Sequence, residues 1–312
     1  MAQEGVGREK ECRLAERIDV SIIRDLPYAT RSEAQKLDLY FAAGRPAPSP
    51  VIIWMHPGGF EEGDKDGSAI APLAIINVIK LFQPALERGY AVASINYRHS
   101  QEAIFPALIH DIKAAVRWVK ANAATYGFDP ERVAAWGSSA GGYLAAMLAT
   151  TGGIKELEDL SLGNPGFSSR VAAAVDWYGP IDFSMMDEHH TQIGQPAHVH
   201  EASSPESRLM GAAVNTIVEK CKAASPCTYA GPDSAPLFIQ QGKGDPIIPY
   251  PQSIMLADRM KAALGEDKVY LELVPKVGHA DPVFFKNENV HKVMNFLDRH
   301  LKWGTKACSC QK

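Results

Sequence analysis

The run Val133-Ala134-Ala135-Trp136-Gly137-Ser138-Ser139-Ala140-Gly141-Gly142-Tyr143-Leu144-Ala145-Ala146-Met147-Leu148 changes character in its middle. Its first half is a short apolar segment closed by glycine, which reads as a buried strand; its second half is rich in Ala and Leu, which reads as a helix. The chain must therefore reverse sharply at Ser139. Gly137, Ser139 and Gly141 match the pattern G-x-S-x-G, in which a serine sits on a strained strand-to-helix turn with its hydroxyl pushed out at the edge of a sheet. The flanking glycines are small because strand and helix approach closely there. Five residues alone also fit a Gly/Ser turn without chemistry, so the surrounding chain has to discriminate.

Upstream, Val51-Ile52-Ile53-Trp54-Met55 is a continuous apolar run of the kind buried on both faces of a sheet. Apolar residues recur at helical spacing over 68–88, Gly89 suits a helix C-cap, and 90–96 reads as the next strand. Ile104, Leu108, Ile112, Ala115, Val116 and Val119 mark one face of a long helix. Nearer the start, 17–23 and 36–41 alternate apolar and polar residues and predict two antiparallel strands. Downstream the spacing predicts strands over 171–177, 237–241 and 269–274 and helices over 251–264 and 287–301. Such alternation predicts an α/β fold, a mostly parallel sheet with helices on both faces. The segment from about 183 to 229 differs in kind, with paired methionines, clustered histidines and short helical stretches, one opened by Ser204-Pro205-Glu206. We expect it to be a small cap inserted into a single domain spanning 1–312.

At 46% hydrophobic and 22% charged residues, the 312-residue chain can build a large core. A net charge of -4 with mixed signs leaves no basic footprint for nucleic acid, and no apolar run is long enough to span a membrane. Met1-Ala2-Gln3-Glu4-Gly5 lacks the charged and apolar regions of a signal peptide, so the expectation is either a cytoplasmic protein or an exported one whose signal is absent from this sequence. Cys221 and Cys227 could close a small loop in an oxidising compartment; Cys12, Cys308 and Cys310 leave an odd count. The histidines at 189, 190, 198 and 200 match no metal-ligand spacing, so no metal cluster is expected there.

A serine hydroxyl is a weak nucleophile near neutral pH. It needs a histidine to take its proton and a carboxylate to hold that histidine in the right tautomer. Following the serine, in the order usual for this elbow, Asp245 lies in Gly242-Lys243-Gly244-Asp245-Pro246, just after one strand, and His279 lies in Gly278-His279-Ala280-Asp281, just after the next. All three belong at one sheet edge. Asp281 is the alternative acid, but two residues from His279 it would need an awkward turn to reach the ring. Donors for an oxyanion are expected from the N–H groups of Ala140, Gly58 and Gly59, the glycines lying in His56-Pro57-Gly58-Gly59-Phe60 at the carboxyl end of a buried strand. Pro57 has no N–H to give. The implied chemistry is acyl transfer to water. A peptidase or amidase could use the same groups, and a non-catalytic binding protein could use the same fold.

The glycine loop, the elbow, Gly244-Asp245-Pro246 and Gly278-His279 resemble the carboxylesterases of the α/β-hydrolase superfamily. More narrowly, Ser204-Pro205-Glu206-Ser207-Arg208-Leu209-Met210-Gly211, Ala224-Ser225-Pro226 and Asp245-Pro246-Ile247-Ile248-Pro249-Tyr250 resemble bacterial bifunctional feruloyl and acetyl-xylan esterases, over about residues 35–300. One departure is Pro57, where that family usually has glycine. The resemblance implies an α/β-hydrolase fold, no metal or organic cofactor, short acyl or hydroxycinnamoyl esters, often on plant polysaccharide, as substrates, and a secreted or periplasmic setting. It makes Phe60, Trp177, Tyr178, Phe183, Met185 and Met186 candidates for the acyl pocket, with ordinary core packing the alternative for each. Tyr97, Arg98 and Asp111 look structural within that pattern.

Overall fold

The computed structural model describes residues 18–68 and 77–302. Cys12, Cys308, Cys310 and the part of the expected helix at 69–76 lie outside the described residues. Eight strands form one sheet: β1 Val20–Pro27, β2 Lys36–Ala42, β3 Ser49–Met55, β4 Ala91–Ile95, β5 Phe128–Ser138, β6 Ala173–Trp177, β7 Leu237–Gly242 and β8 Val269–Val274. Their order is β1-β2-β4-β3-β5-β6-β7-β8, antiparallel at β1/β2 and β2/β4 and parallel from β4 onward. The helices are α1 Val78–Glu87, α2 Ala107–Ala121, α3 Ala123–Tyr126, α4 Ala140–Thr150, α5 Met186–Gln192, α6 Pro205–Met210, α7 Val218–Ala224, α8 Pro226–Tyr229, α9 Pro251–Leu264 and α10 Asn287–Leu301. This is the α/β-hydrolase fold.

The continuous apolar strands are explained by helices on both faces. In β3, Val51, Ile53 and Met55 pack into the layer that also contains residues of α2, α4 and α9, while Ile52 and Trp54 pack into the opposite layer with α1 and α10. Every residue of α4 is buried, which suits a helix apolar all round and seated at the centre of the molecule. Because β3, β5, β6, β7 and β8 are parallel, the loops that leave their carboxyl ends share one edge of the sheet. The segment between β6 and β7 carries α5, α6, α7 and α8.

Several boundaries differ from the expectation. The helix expected from 68 opens at Val78, with Asn77 as its N-cap. The helix expected to begin by Ile104 starts at Ala107, and Ile104 is 45% exposed. Pro106 bars the residue before it from the helical region, and Phe105 N–H donates to Leu209 O at 2.9 Å; Ile104 turns out toward Gly211 instead. Strand β1 runs on to Pro27 past a register irregularity between Ile23 and Leu26. There the buried carboxylate of Asp38 accepts from Asp25 N–H and from the Arg24 guanidinium. Cys221 is buried, and both it and Cys227 are free thiols.

Candidate active site

Four loops converge at the carboxyl edge. Ser139, between β5 and α4, has φ 55° and ψ -121°, a backbone conformation that costs a non-glycine residue on the order of 1–3 kcal/mol. Its N–H donates to Trp177 O at 2.8 Å, which ties the turn to β6. The turn also requires a bare backbone behind it. A Cβ on Gly141 would stand 2.0 Å from Met55 O. Strand and helix therefore approach as closely as the glycine spacing implies.

His279 Nε2 lies 2.9 Å from Ser139 Oγ, and His279 Nδ1 lies 2.7 Å from Asp245 Oδ2. Asp245 is 1% exposed. Its Oδ1 accepts from Ile247 N–H at 2.8 Å and Ile248 N–H at 2.9 Å, and its Oδ2 accepts also from Gln241 Nε2 at 3.0 Å. A carboxylate so supplied with donors is an acceptor only, so the bonded His279 Nδ1 carries the hydrogen and Nε2 is free to accept from Ser139. Asp281 is occupied elsewhere, its Oδ1 capping Val283 N–H at 2.9 Å. The Tyr178 ring stands edge-on to His279 at 5.0 Å between centroids.

The glycine loop after β3 is held from behind. His56 Nδ1 donates to Pro57 O at 2.8 Å, its ring stacks on Tyr97 at 4.5 Å, and Tyr97 OH donates to His56 O at 2.9 Å. Burial pushes the His56 imidazole down to about 4, so it is neutral at ordinary pH. Gly58, at φ 129°, accepts at its carbonyl from Glu61 and Glu62 N–H. A Cβ there would meet Glu62 O at 2.0 Å, so no side chain fits. The N–H groups of Gly58 and Gly59 have no backbone acceptor among the described residues. Ala140 is the first residue of α4, where an N–H has no partner within the helix. Pro57 thus leaves the loop's two later donors in place.

The candidate pocket residues divide. Phe60, Phe183 and Tyr143 pack on one another with centroids 5.1–6.0 Å apart, and Phe60, Phe183 and Met186 are buried. Trp177 does not line this edge. Strand alternation turns it to the other layer, where it meets Trp54, Trp136, Phe284 and Phe285. Of the six candidates only Met185 keeps more than a sliver of exposed surface. Tyr97, Arg98 and Asp111 are framework: Asp111 accepts from Arg98 and from buried Gln35.

The segment between β6 and β7 is tied to this edge at several points. Arg208 pairs with Glu61 beside the glycine loop, Pro205 packs against Gly59, and Gln252 reaches His189 at 2.8 Å. Gln195 Nε2 donates to Asp245 O at 2.9 Å, and its Oε1 meets His190 Nδ1 at 3.0 Å. A cleft of about 390 Å³ runs between Glu61, Ser100, Gln101, Ser207 and Arg208. A larger one, about 670 Å³, lies along 100–107 beside Arg31, His110 and Asp159, and neither is lined by Ser139, Asp245 or His279. Neither Gln195 nor Gln241 was singled out from the sequence. For Gln241 there was a signal, two glutamines ending an otherwise apolar strand; Gln195, in an irregular segment, had none.

A family model described as BD-FAE matches residues 37–260, from β2 through most of α9. The chain belongs to the BD-FAE family. Two relatives of this BD-FAE protein, both from Mycobacterium tuberculosis, are the probable carboxylic ester hydrolase LipM, 30% identical over 265 residues, and the esterase LipQ, 31% identical over 265 residues. Each match takes in 82% of this chain but 55% and 56% of those proteins, so the chain spans about half their length. A solved structure described as a truncated form of a carbohydrate esterase from gut microbiota superposes with a TM-score of 0.77 at 31% identity, covering 90% of this chain and 96% of the other.

Proposed function

We propose that this BD-FAE member is a serine carboxylesterase that hydrolyses short-chain acyl or hydroxycinnamoyl esters through an acyl-enzyme. The observation that carries it is the unbroken hydrogen-bonded line Ser139–His279–Asp245. Ser139 Oγ attacks the ester carbonyl as His279 Nε2 takes its proton. The charge on the carbonyl oxygen is met by Gly58, Gly59 and Ala140 N–H, preorganised donors of the kind worth about 3–4 kcal/mol each. Collapse breaks the bond to the alcohol, which leaves with the proton held on His279. Water, deprotonated by the same nitrogen, then releases the acid and restores the serine.

Similarity to a carbohydrate esterase supports an ester borne on a polysaccharide. The cleft that carries the polar side chains of Glu61, Gln101 and Arg208, next to the glycine loop, is suited to a hydroxyl-rich alcohol portion. The segment from Phe183 to Tyr229 acts as the cap that selects the acyl group. The test is hydrolysis of p-nitrophenyl acetate, methyl ferulate and acetylated xylan beside a peptide anilide, with Ser139→Ala as control. Esters should turn over and the anilide should not. Wild-type rates no faster than those of Ser139→Ala would remove the enzymatic proposal, and preference for the anilide would make the protein a peptidase.

A further inference from the structure

Gln240 and Gln241 lie just before Gly242, the last residue of β7; both are fully buried, and strand alternation sends them to opposite faces. Gln240 exchanges hydrogen bonds with Asn289 and donates to Glu272, inside the packing of β7 against α10 and β8. Gln241 turns toward the carboxyl edge instead. Its Nε2 lies within 3.0 Å of Asp245 Oδ2 and 3.1 Å of the carbonyls of Gly242 and Ile248, while its Oε1 accepts from Ser253 Oγ at 3.3 Å. With three acceptors around one end, the amide has a single orientation, N–H toward the carboxylate.

We infer that Gln241 is a positioning residue of the reaction, setting both the place and the basicity of Asp245; this rests on the Ser139–His279–Asp245 mechanism proposed above. Oδ2 is the oxygen that receives His279 Nδ1, so the Gln241 N–H competes for the same negative charge. Two backbone N–H groups hold Oδ1, and Gln241 completes the set of donors that holds the carboxylate facing the ring. Among titratable groups, His279 contacts Asp245 directly, the buried Tyr178 hydroxyl feels its charge, and His190 reaches its loop through Gln195. Removing the amide donor leaves more charge on Oδ2. Protonated His279 is then favoured, and the base becomes neutral only at higher pH.

The experiment is the pH dependence of kcat/KM for p-nitrophenyl acetate in wild type, Gln241→Leu and Ser253→Ala, with competent enzyme counted by an active-site phosphonate titrant and Tm measured for each. In Gln241→Leu the acid limb should move up by about half a unit to one unit, an activity loss of about three- to tenfold per competent site at pH values below the limb. Ser253→Ala, which only unties the amide's carbonyl end, should shift it the same way by less. A role confined to packing would lower Tm and the titrated fraction while leaving the limb where it was; that result in both variants would overturn the assignment. Should wild type itself fail to exceed Ser139→Ala, the mechanism falls and this assignment with it, which is a separate outcome from an unmoved limb in an active enzyme.

Discussion

Replacing Asp245 by Asn tests the geometry most severely, because the substitution barely changes shape. Oδ1 faces two backbone N–H groups at 2.8 and 2.9 Å, so the asparagine must place its carbonyl oxygen there. Its NH2 then occupies the Oδ2 position and points at both Gln241 Nε2 and His279 Nδ1. Two donors cannot face one another, and His279 relieves the conflict by moving its hydrogen to Nε2. That nitrogen can no longer accept the Ser139 proton. A wrong tautomer of this kind costs a serine hydrolase about 10⁴ in kcat, equivalent to roughly 5 kcal/mol of transition-state stabilisation. Initial rates on p-nitrophenyl acetate at saturating substrate, with circular dichroism to show an intact fold, provide the measurement. Asp281→Asn serves as the comparison, since Asp281 only caps Val283 N–H and should leave kcat within about threefold. Asp245→Asn within tenfold of wild type, or Asp281→Asn as the more damaging change, would refute this reasoning.

Three further outcomes are expected. Asp176 is buried beside Gly179 N–H, and burial pushes its carboxyl from 3.8 up to about 7. Between about pH 4 and 7 the folded chain keeps a proton that the unfolded chain has lost, so stability falls as pH rises through that window, by an amount on the order of a few kcal/mol. Asp176→Asn should flatten the decline, as read by urea melts at pH 5 and pH 8; parallel curves for variant and wild type would count against it. Gly141→Ala should cost at least about 3 kcal/mol, because its Cβ would lie 2.0 Å from Met55 O and 2.8 Å from His56 O, both backbone atoms, and an unchanged Tm would contradict this. Arg208→Ala breaks a partly exposed ion pair to Glu61 and should cost less than about 1 kcal/mol of stability, while raising KM for a polysaccharide ester more than for p-nitrophenyl acetate; equal changes in both would detach this pair from substrate binding.

Most of the architecture was legible because its signals are local. A run such as Val51 to Met55 has to be buried on both faces, and the Gly137–Gly141 spacing demands a turn too tight for side chains. Pro106 and Ile104 show where local periodicity failed: the residues kept the helical spacing, but proline bars the residue before it from the helical region, and α2 opens after it. Trp177 shows a second failure. Its position at the end of β6 placed it near the edge, whereas the direction of its side chain depended on the parity of the strand against its neighbours. For Phe60 and Phe183, only folding of the segment between β6 and β7 could show that they pack on one another.

The chain's order of residues was enough to predict a mostly parallel sheet, a serine on a tight turn after β5, and an aspartate and a histidine after β7 and β8, since each depends on spacing within a few residues of a strand end. Distance along the chain says nothing about which groups meet across the edge. The contact of His279 with Ser139 from 140 positions away, its contact with Asp245, and the hold of Gln241 and Gln195 on the loop of Asp245 all come from the register of parallel strands and the packing of the segment between β6 and β7. Hydrogen bonds act over about 3 Å, and only a folded chain brings separate loops within that reach.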